Sequence, residues 1–228
     1  MRIFLRIGCI LLMSLIISSC GKQGRDDRTK SAEILRKSAE LQARLAKHPE
    51  CLDMDAVFED RAQAEVCQKL RFDIAQNELE NKALDAARTI QSQFAKDEGK
   101  KGFEVSVIDA DMRGIDDPGF IHLAVIIPKA KAQLMLNNMQ LARSFGEETA
   151  KTLADWMLQN GWKPNELGQY PENLGGDPRV KIRLAFIHTY DTPTFFGQVY
   201  FDARTKKYVW TNKPIGKHDP ILKSQGYQ

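Results

Sequence analysis

The chain has 228 residues, 43% of them hydrophobic and 28% charged, with a formal net charge of +3. That composition is ordinary for a globular protein, and a charge so close to balance excludes a dedicated nucleic-acid binder or a protein held to anionic lipid by a basic surface. Beyond the N-terminal segment no apolar run approaches the roughly 20 residues a membrane-spanning helix needs.

Arg2 and Arg6 precede an apolar run from Ile7 to Ile17, and the small residues Ser18 and Ser19 lead into Cys20. This is the layout of a secretory signal. An ordinary cleaved signal would end in an Ala-x-Ala pattern, which is absent here, and an uncleaved anchor would need a longer apolar run. Ile17-Ser18-Ser19-Cys20 resembles the lipobox of bacterial lipoproteins: an aliphatic residue, two small or aliphatic positions, then the cysteine that is lipidated. The resemblance implies that residues 1–19 are a signal peptide and that Cys20 becomes the mature N-terminus. Cys20 would carry a thioether diacylglycerol and an amide-linked acyl chain, anchoring the protein in the bilayer at about 0.8 kcal/mol per buried CH2. Gly21 follows the cysteine, not the Asp that favours inner-membrane retention in enteric bacteria, so the implied location is the outer membrane, facing the periplasm. Loss of Arg2 and Arg6 takes the formal charge from +3 to +1. Residues 20–30 are polar and read as a lipidated tether.

A helix is expected from Ser31 to Lys47, with Ile34, Leu35, Leu41 and Leu45 on one side and a stop at His48-Pro49. Asp53 is a candidate N-cap for a short helix through Val57 and Phe58. A long helix is expected from Arg61 to Lys96, carrying Val66, Leu70, Ile74, Leu84, Ile90 and Phe94. Its middle, residues 76–82, is polar on nearly all sides and reads as solvated helix. The glycines of Gly99-Lys100-Lys101-Gly102 end it. With Cys9 in the signal and Cys20 lipidated, Cys51 and Cys67 remain, and an oxidising compartment makes a disulfide between them the natural reading, two free thiols being the alternative. Unbroken helix would hold their Cα atoms roughly 24 Å apart, against less than about 7 Å for a disulfide. The bond therefore requires the chain to fold back, near Glu59–Ala62.

Strands are expected at Phe103–Val107, at the continuous apolar run Phe120–Ile127 as a central strand, at Val180–Tyr190, at Phe195–Phe201 and at Lys207–Thr211, the last two joined as a hairpin. In Val180–Tyr190 the alternation places Lys181 and Arg183 opposite Val180, Ile182 and Leu184. Residues 129–160 read as helix, or as two helices meeting at Ser144, where Ser144-x-x-Glu147 is a capping-box pattern. Residues 163–178 are turn-rich and read as exposed. The fold class is α+β: an N-terminal helical hairpin module (31–98), then an α+β domain (102–212) with a mixed or antiparallel sheet covered on one face by a long helix or helix pair, and an irregular tail (213–228).

Chemistry-bearing groups are few. Asp109, Asp111 and Gly114 match the start of an EF-hand loop, but Arg113 and Phe120 occupy ligand positions, so an acidic loop is the better reading. His122 and His188 fall in strands, with Asp191 nearby; they would serve an envelope hydrolase only if they converged in one pocket. His48 and His218 lie at a helix stop and in the tail. Phe195, Phe196, Tyr200, Phe201, Tyr208 and Trp210 crowd one hairpin, as core and cross-strand pairs or as an exposed partner surface. No catalytic residue, metal site or cofactor is assigned. The expected function is non-catalytic protein binding by a lipid-anchored envelope protein, in immunity, exclusion, or a secretion or surface machine. An envelope hydrolase or a small-ligand carrier with an apolar cavity is the alternative. Over about residues 31–70 the helix, the His48-Pro49-Glu50-Cys51 stop and the second cysteine-bearing helix are similar to small exclusion lipoproteins of conjugative elements.

Overall fold

A computed structural model describes residues 22–53, 58, 60–170, 176–187 and 193–213. The signal peptide, Cys20 and the tail beyond Lys213 lie outside the described residues, as does the body of the short helix expected after Asp53. Helix α1 spans Lys22–Lys47 and helix α2 spans Arg61–Lys96. The stretch read as an irregular tether is thus helical from Lys22 onward, continuous with the expected helix.

Pro49 opens a 3₁₀ turn, Pro49–Leu52, that reverses the chain after α1. Asp60 then starts α2, its carboxylate accepting from the Ala62 amide at 2.9 Å and so satisfying one of the free donors of the first turn. The reversal brings the Cα atoms of Cys51 and Cys67 to 4.9 Å, and a disulfide joins them. Both cysteines are buried with Leu41 and Leu70 in a small satellite core, with Leu45, Phe58 and Ile74 packed against it. Arg71 reinforces the turn, donating to the carbonyls of Cys51 and Asp53.

At about 1.5 Å per residue the 36 residues of α2 reach roughly 54 Å. Its first half belongs to the disulfide hairpin. Its second half buries Leu79, Ala83, Ala86, Ala87, Ile90 and Phe94 in the main core. These residues recur every three or four positions, so they form one stripe, and the alanines allow close approach to the sheet. The polar middle is not a free solvated segment. Asn77 and Leu79 are buried there, and Gln76 reaches the end of the first strand.

Five strands form one sheet in the order β1 (Glu104–Asp111), β2 (Phe120–Ile126), β3 (Val180–Ile187), β4 (Pro193–Asp202), β5 (Lys207–Thr211). All neighbours are antiparallel except β2 and β3, which run parallel and are linked through helices α3 (Lys129–Asn137) and α4 (Met139–Gln159). The helices part at Asn138, whose side chain caps α4, rather than at Ser144. Val105, Ile121, Leu123, Val125, Val180, Ile182, Leu184 and Val199 face the helices. Gly146 of α4 lies so close to β4 that a Cβ there would stand 2.7 Å from Val199 Cγ2.

Two glutamines fasten α2 to the open edge of β1. Gln91 donates to the Phe103 carbonyl (2.9 Å) and accepts from the Val105 amide (2.8 Å). Gln76 donates to the Ala110 carbonyl (2.8 Å) and accepts from the Met112 amide (3.1 Å). Each carboxamide presents the donor–acceptor pair a neighbouring strand would offer. The edge is thereby partly satisfied and shielded from pairing with another chain.

The hairpin and the sheet thus share α2, yet the disulfide closes only the hairpin. Replacing Cys51 and Cys67 together by serine is expected to cost about 3 kcal/mol, as for a closed loop of this length. Denaturant unfolding measures the loss, and amide exchange should locate early opening in α1 and the first half of α2 while the sheet keeps its protection.

Candidate functional site

The sheet face turned away from the helices holds the polar side chains with the most constrained surroundings. Because strand side chains alternate, register places Asp109, His122, Lys181 and Tyr200 in one row across β1–β4, and Ala124, Arg183 and Gln198 in the next. Sequence alternation puts Lys181 and Arg183 on a polar face, and they are there. That face is nonetheless closed to solvent at its centre: His122 and Arg183 are 2% and 7% exposed, and Lys181 and Gln198 are fully buried.

Two loops meet above the start of this face. One links β1 to β2; the other runs from α4 to β3 and is described at residues 160–170 and 176–179. Arg113 of the first loop pairs with Asp111 (3.3 Å) and with the buried Asp177 of the second (3.2 Å), its guanidinium lying over Phe120 and Tyr170. Arg179 pairs with Asp117 at 2.5 Å and stacks 4.0 Å above the Tyr170 ring. The Tyr170 hydroxyl accepts from Arg179 (3.1 Å) and donates to Asp117 (2.9 Å). Burial raises the Tyr170 pKa well above its ordinary value, so the hydroxyl keeps the proton it donates. Asp117 also accepts from the Gly119 amide at 2.7 Å. Gly119 has φ +79°, and a Cβ there would lie 2.4 Å from Leu79 Cδ2, so glycine is required.

His122 sits beneath this cluster. Its ring stacks on Phe120 with centroids 4.3 Å apart, and Nε2 lies 2.6 Å from the Pro178 carbonyl. A carbonyl only accepts, so Nε2 carries the proton and Nδ1 holds a bare lone pair. Nδ1 is buried and has no hydrogen-bond partner. Burial first, then the positive charge of Lys181, hold the His122 pKa well below its ordinary value, with Arg183 and Arg113 adding to the effect. His122 is therefore a neutral donor, and the arrangement ties the two loops together.

Of the other histidines, His48 lies 3.3 Å from Glu50 on the 3₁₀ turn. His188, Asp191 and His218 lie outside the described residues, so their convergence with His122 is not described. Asp111 and Asp117 of the EF-hand-like loop serve Arg113, Arg179 and Tyr170. Among the described residues, one grouping has metal-ligand types close together: Glu50, Cys51 and Cys67, whose sulfurs are committed to the disulfide. The hairpin aromatics Phe196, Phe201, Tyr208 and Trp210 pack against the main core, and Phe201 meets Tyr208 across the strands at 5.3 Å. Trp210 covers Gly197 so closely that a Cβ would stand 2.1 Å from its ring. Those four are core and cross-strand residues. A groove of about 330 Å³ runs outside the core between α1, α2 and β1, lined by Lys30, Lys37, Glu80, Leu84, Ile108 and Asp109 among others.

Reading residues 163–178 as exposed misses two members of this cluster, Tyr170 and Asp177, which are buried, as is the core residue Leu167. The signal was positional. Asp117 lies just before β2 and Arg179 just before β3, and the two meet only once Ile121 and Val180 are known to be register partners.

The burial of these pairs sets their relative weight. Asp117→Ala leaves Arg179 and Tyr170 without their acceptor in a mostly buried site, and is expected to cost about 3 kcal/mol. Asp111→Ala, at a more exposed position, is expected to cost under about 1 kcal/mol. Chemical denaturation of both variants under one buffer measures the difference.

No family model, curated protein or solved structure matches the chain.

Proposed function

We propose that this protein is a lipid-anchored component of a bacterial cell envelope that acts by binding another protein and catalyses no reaction. The observation that carries the reading is the Cys51–Cys67 disulfide in a chain whose first residues resemble a lipoprotein signal. Disulfides persist in oxidising compartments, and a lipobox directs export, so two features of one sequence support the same destination. Acylated Cys20 is the proposed contact with the bilayer, at the outer membrane and facing the periplasm.

The binding half of the reading is supported by apolar surface. At the corner between α3 and α4, Leu134, Met139 and Leu141 are 63%, 41% and 46% exposed. Side chains of this size left in water within eight residues of one another suit a protein contact. An immunity, exclusion or secretion-machine role each uses a tethered binder of this kind.

Two labelled forms test both halves. Radiolabelled palmitate should enter the wild-type protein and not Cys20→Ala. Crosslinking and affinity capture from the native envelope should recover one stoichiometric partner, reduced severalfold by Leu134→Glu with Leu141→Glu. Equal labelling of Cys20→Ala would overturn the anchor, and capture without any enriched protein would overturn the binding role.

A further inference from the structure

Helix α2 measures the molecule from end to end, and two other helices can be placed along it. α1 lies antiparallel to it: Arg44 meets Asp73 at 3.2 Å, Lys37 meets Glu80 at 3.1 Å, and Arg88 donates to the Ser31 hydroxyl at 2.6 Å. Carried from Ser31 back to Lys22, this register brings the start of α1 level with the last turn of α2. α4 is antiparallel to α2 as well. The rings of Phe145 and Phe94 lie 5.7 Å apart, and the Lys82 ammonium stands 5.1 Å over the ring of Trp162, just past the end of α4. Carried from Phe145 back to Met139, that register reaches the same end of α2. Lys131 of α3 is fixed there too, donating to the Gly99 and Lys101 carbonyls at 2.7 and 3.1 Å. The α3–α4 corner and the start of α1 thus share one end of the molecule. The disulfide turn lies at the other, roughly 54 Å away.

Cys20 precedes Lys22 by two residues, which span at most about 7 Å. An acyl group on Cys20 therefore brings the corner's end of the molecule close to the lipid headgroups. The corner's own side chains suit protein better than lipid. Leu134, Met139 and Leu141 are interleaved with Gln133, Asn137 and Gln140, all exposed. In hydrocarbon those carboxamides would lose water without gaining partners. Lys129 to Gly146 also contains no Trp or Tyr, the residues that favour a lipid interface. A protein surface supplies apolar contact and hydrogen-bond partners together. The same stretch carries Lys129, Lys131 and Arg143 and no acidic residue, Arg143 being paired with Glu147 at 2.7 Å.

We propose that the α3–α4 corner docks on a protein embedded in the bilayer that holds Cys20, at headgroup level and against a surface with acidic side chains at its rim. This rests on the lipid-anchor reading and narrows the partner to one in the same membrane. The disulfide turn then points away from the lipid.

Two measurements on the acylated full-length protein test this. Acylation of Cys20 and the Cys51–Cys67 disulfide leave an introduced cysteine as the reactive thiol. In vesicles of phosphatidylethanolamine and phosphatidylglycerol, an environment-sensitive fluorophore on Gln140→Cys should transfer energy to headgroup-labelled lipid severalfold better than one on Arg61→Cys. Its emission should stay that of a water-exposed dye. Equal or reversed transfer would overturn the placement, and emission shifted to that of an apolar medium would seat the corner in lipid and overturn the protein partner. In the native envelope, a cleavable label-transfer photocrosslinker on Gln140→Cys should mark a protein that resists alkaline carbonate extraction, and Lys129→Glu should lower the marking severalfold. Marking of extractable proteins only, or marking indifferent to Lys129→Glu, would overturn the proposed partner. Palmitate incorporation reads the anchor separately. Without it the anchor reading fails and this proposal with it; with it, any of the contrary results above fails the proposal alone.

Discussion

One helix ties the parts of this protein together. α2 forms a disulfide hairpin with α1 at its start, where Cys67 and Leu70 are buried, and supplies a wall of the main core at its end, through Ala83, Ile90 and Phe94. Between these it satisfies the exposed edge of β1 with Gln76 and Gln91. A buried or half-buried backbone amide without a partner costs about 1–3 kcal/mol, so four such bonds bind the strand to the helix with a specificity that apolar packing alone lacks. Asp111 at the end of β1 pairs with Arg113 of the following loop, and Arg113 reaches across to Asp177.

The parts of the fold that follow from periodicity were legible in the sequence. The bounds of α2 coincide with expectation, although its end is set by an extended Asp97, whose side chain accepts from the Gly99 amide of the following 3₁₀ turn, and not by the glycines themselves. The interior place of β2 follows from its continuous apolar run, and the disulfide required only a chain reversal that Pro49 and Asp60 provide. What was illegible depended on partners distant in sequence. The polar middle of α2 reads as solvated because Gln76 and Asn77 have no apolar character, yet Gln76 is there to meet an edge strand some 35 residues on. Ser144 looks like a helix start because its capping pattern is local, whereas the true break at Asn138 uses a single side chain with no periodic signature.

The candidate site was the least legible feature. Lys181 and Arg183 alternate with apolar residues as any solvent-facing pair would, and composition gives no warning that both are buried. Tyr170, Asp177 and Arg179 sit in a turn-rich segment where Gly and Pro dominate the signal. Their burial follows from the parallel pairing of β2 with β3, which places two loop ends side by side and lets Arg113 and Arg179 bridge them. A cluster of this kind specifies how the loops lie on the sheet, and beneath it His122 donates to the Pro178 carbonyl.

The central claim is that α2 makes the hairpin and the sheet one cooperative body. Differential scanning calorimetry on the oxidised protein, residues 20–228, at about pH 7.5 tests it most directly. The account predicts a single transition whose calorimetric and van't Hoff enthalpies agree. Two resolved transitions, one sensitive to reductant and one not, would contradict it and make the helical hairpin a separate unit.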